Sequence, residues 1–166
     1  MKIEKLNFVP GKLDYVRGAR PAVDCILCAV AADDPRVERL LVHRKNGLFV
    51  TLNLYPYNPA HLMIVPERHL VHLNQLTEPE ALEIHRMQML TLRVLDAEYR
   101  PTGYNLGWNI GRSSGASIDH IHLQIVPRYP TEIGFFDILT DSRVIVEDPK
   151  VTQKRLRDAF IRLAPA

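Results

Sequence analysis

The chain has 166 residues, and its 21 Lys and Arg residues against 19 Asp and Glu residues give a formal net charge of +2. Hydrophobic residues make up 46% of the chain and charged residues 24%, an ordinary balance for a globular protein. This charge and an aromatic content of only 7% argue against a protein dedicated to nucleic acids or to an acidic membrane surface. No apolar run reaches the roughly 20 residues that a membrane helix needs, and residues 1–11 lack the apolar region of a signal peptide. We therefore expect one domain over residues 1–166, in the cytoplasm.

The first half of the chain predicts an irregular arm followed by a meander of strands. The arm covers about residues 1–22, where charged residues alternate with Gly and Pro without a regular period. Three short β-rich runs follow, at residues 37–43, 48–54 and 61–65. Between the first two runs, Asn46 and Gly47 predict a tight hairpin, because both residues tolerate a positive φ.

The second half of the chain predicts one long helix among further strands. Thr77 and Glu80 form a capping-box pattern, apolar residues then recur at three- and four-residue steps, and Pro101 ends the helix. After this helix we expect strands at 104–110 and 120–126, a weak strand at 143–146 and a closing helix at about 152–163. Strands in runs around one long helix predict an α+β fold with an antiparallel sheet, rather than repeated β-α-β units.

Polar residues alternate with apolar ones along the strand predicted at 120–126. Successive side chains of a strand point to opposite faces, so His120, His122 and Gln124 share one face. An ordinary half-buried strand with its polar face in water would show the same alternation. This alternative stays open from the pattern alone.

The loop before this strand, residues 111–117, contains two glycines and three serines. Small residues let backbone N–H groups approach a ligand, and glycine-containing turns form concavities that bind anions. A plain connecting loop would also fit this composition. Together with two imidazoles on one strand face, however, the loop favours phosphoryl chemistry, with an imidazole as nucleophile and N–H donors that stabilise the phosphoryl oxygens.

Two segments of the chain resemble a known family. Residues 109–124 contain Asn109, then Gly115-Ala116-Ser117, then His120-x-His122-x-Gln124, and residues 53–69 run from Asn53 to His69 through Asn-Pro-Ala-His-Leu-Met-Ile-Val-Pro. This combination is similar to the histidine-triad (HIT) superfamily of nucleotidyl hydrolases and transferases, over about residues 25–128. Within the superfamily it most resembles the branch of small bacterial diadenosine tetraphosphate phosphorylases. The resemblance implies a HIT-like sheet of about five strands with one long helix and a C-terminal helix, in a homo-oligomer of two or more subunits.

The resemblance also implies a role for each matching position. His122 would be the nucleophile on an α-phosphorus and would form a nucleotidyl-histidine intermediate, with Ser117 and Gln124 as the other catalytic residues. Asn53 would bond the ribose hydroxyls, while Ser113 and Ser114 would reach a distal phosphate. The remaining substrate-binding positions would surround the phosphate oxygens, and they are Asn109, the backbone at Gly115, Ala116, Ser117 and Gln124.

The third triad position holds Gln124, where the hydrolase branches usually have histidine. A glutamine amide donates a hydrogen bond to a phosphoryl oxygen but exchanges no proton near neutral pH. The transferase branches, including galactose-1-phosphate uridylyltransferases, resemble this chain in having glutamine there. We therefore expect inorganic phosphate rather than water to accept the nucleotidyl group, so that diadenosine tetraphosphate gives ATP and ADP.

Other functions stay open from the sequence. Among enzymes, the alternative is a dinucleoside polyphosphate or nucleoside phosphoramidate hydrolase. A nucleotide-binding signalling module with incidental slow chemistry belongs to another class. A zinc-stabilised interaction domain is disfavoured, because the Gly/Ser loop would then have no purpose.

Cys25 and Cys28 form a Cys-x-x-Cys pair that allows three interpretations. A redox dithiol prefers a strand-to-helix turn in a β-α-β unit, which the pattern does not predict, and two inert buried cysteines are a second interpretation. The third is a tetrahedral zinc site, which needs two more ligands. His69 and His120 are the best candidates, and the resemblance supports both. Four protein ligands leave no open position on the metal, so the zinc would be structural.

Four further histidines receive no chemical role. We expect His61, in a strand, and His85, in the long helix, to be structural or to lie on the surface. His43 and His72 are predicted to be solvated.

Overall fold

The structure is a computed structural model that describes residues 21–130 and 147–164. Most of the predicted N-terminal arm and the weak strand expected at 143–146 lie outside the described residues. Two short 3-10 turns lie at Leu73–Gln75 and Arg112–Ser114. None of the helices in the two described ranges is long and apolar enough to cross a membrane. The helices are α1 (Ile26–Ala31), α2 (Glu78–Tyr99) and α3 (Pro149–Leu163), and the strands are β1 (Leu41–Lys45), β2 (Leu48–Leu52), β3 (Leu62–Pro66), β4 (Gly103–Trp108) and β5 (Leu123–Arg128).

The five strands form one antiparallel sheet in the order β1-β2-β3-β5-β4, which confirms the predicted α+β fold. The predicted hairpin joins β1 and β2, and its residues Asn46 and Gly47 have φ values of 53° and 74°. Both values lie in the left-handed region that a tight hairpin turn requires. The hairpin therefore follows from two residues that are adjacent in the sequence.

The two faces of the sheet carry two separate apolar layers. On one face, alternate residues such as Val50, Ile64 and Ile125 pack under α2 and α3. On the other face, residues of opposite parity such as Phe49 and Val65 pack under α1. The first layer gives the sheet a rigid support, while the α1 face also carries polar side chains.

The helix α2 begins where the capping-box pattern predicts it. The Thr77 hydroxyl accepts from the backbone N–H of Glu80 at 3.4 Å, and the Glu80 carboxylate accepts from the backbone N–H of Thr77 at 2.8 Å. The same carboxylate pairs with Arg68 at 2.8 Å, which ties the start of α2 to the segment after β3. The predicted start is confirmed, and the helix ends at Tyr99, two residues before Pro101, as expected.

The starts of β1 and α3 differ from the prediction. β1 begins at Leu41 rather than at 37, because the Val37 N–H donates to the Asp34 carbonyl at 3.3 Å within a turn. α3 begins at Pro149, before the predicted start, because the Asp148 carboxylate caps it by accepting from a backbone N–H of the first turn at 2.7 Å. An Asp-Pro pair is a helix start signal that the apolar periodicity alone did not show.

The strand β5 runs from Leu123 to Arg128 rather than over 120–126. His120 and His122 therefore lie in the segment that leads into β5, not within the strand. A proline has no N–H group to donate to a neighbouring strand. Pro127 is tolerated in β5 because the pairing with β3 ends at Ile125, so β5 has only β4 as a partner there. β2 and β4 also end earlier than predicted, at residues 52 and 108.

His43 on β1 is half-buried rather than fully solvated, so that prediction is wrong. Its ring stacks on Phe160 of α3, with centroids 4.8 Å apart and planes 9° from parallel. Its Nε2 atom is buried and has no hydrogen-bond partner in the part of the chain that the structure describes. Burial lowers the pKa of His43, so the neutral ring packs against α3 as an apolar surface. His72 and His85 are exposed, as expected.

Arg100 ends α2 in the left-handed conformation, at φ 47° and ψ 51°. This conformation costs an L-residue roughly 1–2 kcal/mol, whereas glycine adopts it readily. We predict that Arg100→Gly raises the free energy of unfolding by roughly 0.5–1 kcal/mol in urea denaturation, because it removes most of that cost. The control Arg93→Gly, at an exposed position inside α2, lowers the free energy of unfolding by roughly 1 kcal/mol. A destabilised Arg100→Gly variant would contradict this account of the helix end.

Candidate active site and metal centre

A cavity of about 490 Å³ opens on the α1 face of the sheet. Its polar wall comes from the segment after β2, the loop after β4 and the start of β5, and its apolar wall comes from α1 and the residues that follow it. The fold thus brings together residues that lie far apart in the chain. The predicted catalytic and substrate-binding residues that line the cavity are Asn53, Asn109, Gly115, Ala116, Ser117, His122 and Gln124.

The loop 111–117 reaches the cavity through a turn that two glycines make. Gly111 and Gly115 have φ values of 76° and 84°, in the left-handed region that favours glycine. The Ser114 hydroxyl closes the turn by donating to the Gly111 carbonyl at 2.8 Å. Ser113 and Ser114, predicted to reach a distal phosphate, are not among the described residues that line the cavity. The lining begins at Gly115, so the turn sets the position of the small residues that follow it.

His122 is held by a hydrogen bond to the backbone two residues before it. Its Nδ1 atom lies 2.8 Å from the carbonyl oxygen of His120, and a carbonyl only accepts, so the His122 ring carries its proton on Nδ1. The lone pair of a neutral ring then lies on Nε2. Burial lowers the pKa of His122, which favours this neutral form. The arrangement provides an unprotonated ring nitrogen at a cavity wall, as a nucleophile requires.

Three amide side chains line the same cavity as His122. Asn53 follows β2, and its Oδ1 atom accepts from the backbone N–H of Tyr55 at 2.9 Å, which orients the amide. Gln124 lies within β5, opposite Met63 of β3, and is half-buried. Asn109 follows β4 at the start of the glycine loop. Amide nitrogens donate hydrogen bonds without carrying a charge, so they suit phosphate and ribose oxygens.

Four side chains that can hold a metal ion meet beside this cavity. The ligand atoms of Cys25, Cys28, His69 and His120 all lie within 4.8 Å of one another. The His120 Nδ1 atom is 3.4 Å from the Cys25 sulfur and 3.5 Å from the Cys28 sulfur, and the His69 Nδ1 atom is 3.3 Å from the Cys28 sulfur. Zinc bonds of about 2.3 Å to sulfur and 2.0–2.1 Å to nitrogen in a tetrahedron place such atoms about 3.5 Å apart. Three of the six distances between ligand atoms therefore match the edges of a tetrahedral zinc site.

The ring of His120 is oriented by the backbone of the last residue of β3. Its Nε2 atom lies 2.9 Å from the Pro66 carbonyl oxygen, so Nε2 carries the proton and Nδ1 turns its lone pair toward the two sulfur atoms. Burial lowers the pKa of His120 to about 4, which keeps the ring neutral. A metal-binding imidazole must be neutral at the coordinating nitrogen, and this one is.

The thiol pair also fits a metal better than the two other interpretations. Burial raises the pKa of Cys28 to about 11, and the hydrogen bond and the charge of Cys25 act in the same direction. A cation between the sulfur atoms would favour the thiolates that burial disfavours. A redox dithiol in a β-α-β unit does not fit, because every strand pair in the described ranges is antiparallel. Two inert cysteines would not require His69 and His120 beside them.

The sequence did not predict the apolar wall of the cavity. These residues are ordinary core residues by type, so no local pattern distinguishes them from the rest of the core. They become a wall only because α1 packs over the sheet. They include Leu27, Val30, Val37, Leu40 and Met63. His61 was expected to be structural or to lie on the surface, and the structure buries it fully beside Gln124. No local pattern indicated that contact.

The fold and this constellation of histidines and amides define the class of the protein. The HIT domain family matches residues 35–131, which is more than half of the chain, and the chain therefore belongs to the HIT family. It is 36% identical over 162 residues to the AP-4-A phosphorylase of Mycobacterium tuberculosis (strain ATCC 25618 / H37Rv), an alignment that covers 95% of this chain and 82% of that protein.

Two further matches are less extensive. The chain is 31% identical over 94 residues to the bis(5'-adenosyl)-triphosphatase of Saccharomyces cerevisiae (strain YJM789), covering 56% of this chain and 46% of that protein. A solved structure, that of a Zn-bound histidine triad family protein from Mycobacterium smegmatis, matches with a TM-score of 0.70 and 21% identity over 84% of this chain and 95% of that one. This structural match shows the same fold.

The geometry of the four-residue cluster predicts that the protein binds one metal ion through two thiolates and two imidazoles. Titration with Co²⁺, a spectroscopic probe for tetrahedral thiolate sites, should give a sulfur-to-cobalt charge-transfer band that saturates at one equivalent. His69→Ala should weaken Co²⁺ binding by more than about tenfold, because it removes a ligand. The control His72→Ala, at a nearby exposed histidine, should bind as the wild type does. Equal binding by both variants would remove His69 from the site.

Proposed function

We propose that the protein is a nucleotidyltransferase that cleaves diadenosine tetraphosphate by phosphorolysis, giving ATP and ADP. The observation that carries this proposal is the geometry of His122, a cavity-lining imidazole whose Nδ1–H is fixed on a carbonyl and whose Nε2 keeps the lone pair. The relative named AP-4-A phosphorylase, which aligns with 95% of this chain, supports the substrate and the reaction.

The two walls of the cavity suit the two parts of a nucleotide. The apolar wall offers a dry surface for a nucleobase, while Asn53 lies beside it to bond the ribose hydroxyls. Beyond the ribose, residues 115–117 of the glycine loop and the side chains of Asn109 and Gln124 would surround the α-phosphate. Neutral N–H and O–H donors held in a cavity stabilise developing charge on phosphoryl oxygens without reorganising during the reaction.

The reaction then has two displacements on the same phosphorus atom. In the first, Nε2 of His122 attacks the α-phosphorus, an N–P bond forms, and the P–O bond to the bridging oxygen breaks, so that ATP leaves. In the second, an oxygen of inorganic phosphate attacks the adenylyl-histidine, the N–P bond breaks, and ADP leaves with His122 restored. Positioning and electrostatic stabilisation account for most of the acceleration in such phosphoryl transfers.

Gln124 supports phosphate rather than water as the acceptor. Its amide can orient a phosphoryl oxygen, but it cannot remove a proton from an attacking water molecule near neutral pH. A phosphate dianion needs no such base. Hydrolysis remains the second candidate, because one relative is named a bis(5'-adenosyl)-triphosphatase.

The metal is proposed to be Zn²⁺ with a structural role. Zn²⁺ commonly takes two cysteines and two histidines in a closed tetrahedral site, and such a site has no open position for water. When bound, it would fix His120, and through the chain it would fix His122 two residues later. The neighbouring fold of a Zn-bound histidine triad protein supports this assignment.

Three expectations from the sequence stay predictions. They are a single domain over residues 1–166, a cytoplasmic location and a homo-oligomer.

The two edge strands of the sheet differ in a way that supports the proposed homo-oligomer. The Gln153 side-chain amide covers the β1 edge by donating to the Arg39 and Leu41 carbonyls at 3.1 and 3.0 Å. β4 pairs only with β5 within the described residues, and an open strand edge is a template for pairing with a second copy.

We predict that His122→Ala reduces phosphorolysis of diadenosine tetraphosphate by at least about a thousandfold, because no neighbouring group replaces the nucleophile. Product formation should be followed by chromatography, and the free energy of unfolding should change by less than about 2 kcal/mol. The control His85→Ala, at an exposed position on α2, should keep wild-type turnover. Retained activity in His122→Ala would refute the assignment of the nucleophile.

We predict that Gln124→His shifts the products from ATP and ADP toward ATP and AMP, because an imidazole can exchange protons near neutral pH and so assist an attacking water molecule. The products should be resolved with and without inorganic phosphate, and the control Gln88→His on α2 should keep the wild-type product ratio. If the wild-type protein itself gives ATP and AMP regardless of phosphate, it is a hydrolase and the proposed reaction is wrong.

A further inference from the structure

The proposed reaction leaves one buried histidine beside the cavity without a role. His61 precedes β3, and its side chain is completely buried, with 0% exposed. Its ring stacks on Tyr57, with centroids 5.3 Å apart and planes 17° from parallel. Its Nδ1 atom accepts from the backbone N–H of Tyr57 at 3.2 Å. Because Nδ1 uses its lone pair as an acceptor, the neutral ring carries its proton on Nε2.

The Nε2–H group of His61 has no hydrogen-bond partner within the described ranges of the chain. A buried donor without a partner destabilises the folded state, and native proteins retain few such groups. The orphaned donor is therefore a feature that the fold keeps despite its cost. The side chain that faces this N–H group indicates its role.

Gln124 is the polar side chain that faces this donor. Leu62 pairs with Ile125 and Met63 pairs with Gln124, so His61 and Gln124 are diagonal neighbours on the same face of the sheet. Long side chains at diagonal positions reach one another. Burial lowers the pKa of His61 to about 4, and the proximity of the Gln124 side chain acts in the opposite direction. A small rotation of the Gln124 amide would complete that bond.

We propose that His61 is a positioning residue that donates its Nε2–H to the Oε1 atom of Gln124 and thereby fixes which end of the amide faces the substrate. The inference rests on the proposed function, in which Gln124 contacts the transferred phosphoryl group. An amide can present either its oxygen or its NH₂ group, and the two orientations differ only by a rotation of the side chain. A donor-only partner accepts one orientation and rejects the other.

The consequence for phosphoryl transfer follows from the charges. With Oε1 held by His61, the Gln124 NH₂ group is directed away from His61 and donates to an anionic phosphoryl oxygen. The flipped amide would instead place its oxygen lone pairs against that oxygen. His61 also fixes the ribose side of the cavity, because its carbonyl accepts from the backbone N–H of Asn53 at 3.0 Å. In this proposal one buried residue thus contacts two of the residues predicted to bind the substrate, Asn53 and Gln124.

A measurement on the resting protein tests the contact independently of any activity. Long-range ¹H–¹⁵N spectra should show His61 as the Nε2–H tautomer, and Gln124→Leu should move the His61 Nε2–H resonance, because the acceptor is lost. The control Gln88→Leu on α2 should leave that resonance in place. A resonance that Gln124→Leu does not move, or a proton on Nδ1, would overturn the proposed contact even if the protein cleaves dinucleotides.

A double-mutant cycle tests the effect on transfer. His61→Phe keeps an aromatic ring against Tyr57 but removes the donor, and it should lower kcat for phosphorolysis on the order of tenfold with little change in KM. In a Gln124→Ala background, the same substitution should have no further effect on kcat, because the side chain that it positions is absent. An equal loss of kcat in both backgrounds would show that His61 does not act through Gln124.

His43→Phe is the matched control for this cycle. His43 also stacks on an aromatic ring and also has a buried Nε2 without a partner in the described chain, but it packs against α3 and does not line the cavity. It should keep wild-type kcat, and an equal loss in His43→Phe would assign the effect of His61→Phe to general stability. If the wild-type protein does not cleave diadenosine tetraphosphate at all, the proposed function is wrong. The effect of Gln124→Leu on the His61 Nε2–H resonance still tests the contact between His61 and Gln124.

Discussion

The hydrogen bond from the His120 ring to the Pro66 carbonyl is the constraint on which both centres depend. At 2.9 Å it places the ring proton on Nε2, so that Nδ1 faces the sulfur atoms of the Cys-x-x-Cys pair. The backbone carbonyl of His120 accepts a hydrogen bond from the Nδ1–H group of His122 at 2.8 Å. His120 therefore contributes its side chain to the candidate metal site and its backbone carbonyl to the hydrogen bond that holds the candidate nucleophile. The intervening Ile121 N–H, bonded to the Leu70 carbonyl at 2.7 Å, fixes the same segment.

These hydrogen bonds hold the segment in place although it lies outside a regular strand. The His120 ring bonds to the last residue of β3, and the Ile121 N–H bonds to Leu70 after that strand. The sulfur atoms of Cys25 and Cys28, at the start of α1, lie beside the His120 ring. The cavity beside it contains no Lys or Arg among its described lining residues. In the proposed function, amide, hydroxyl and backbone donors would stabilise the phosphate charge there, because their dipoles act strongly where water is excluded. A formal net charge of +2 for the whole chain is compatible with such local recognition.

Local signals in the sequence predicted the parts of the fold that depend on neighbouring residues. The Asn46-Gly47 hairpin and the Thr77–Glu80 cap both follow from adjacent or nearly adjacent side chains. Errors occurred where contacts with distant segments determine the structure. Phe160 packs on His43, and the segment before β5 bonds to Pro66 at the end of β3 and to Leu70 after it. Motif spacing and family resemblance predicted the four candidate metal ligands and most of the polar residues that line the cavity. The apolar wall could not be predicted, because only the packing of α1 distinguishes its leucines and valines from the core.

The central claim is that His122 carries the transferred nucleotidyl group, and trapping that intermediate tests it most directly. The protein should be mixed with diadenosine tetraphosphate in the absence of phosphate, quenched under conditions that preserve phosphoramidate bonds, digested, and mapped by mass spectrometry. This account predicts one adenylyl group on the peptide that contains His122, attached at that residue, and its loss with formation of ADP when phosphate is added before quenching. An adenylyl group on a different residue, or product release with no covalent species at any time, would contradict it.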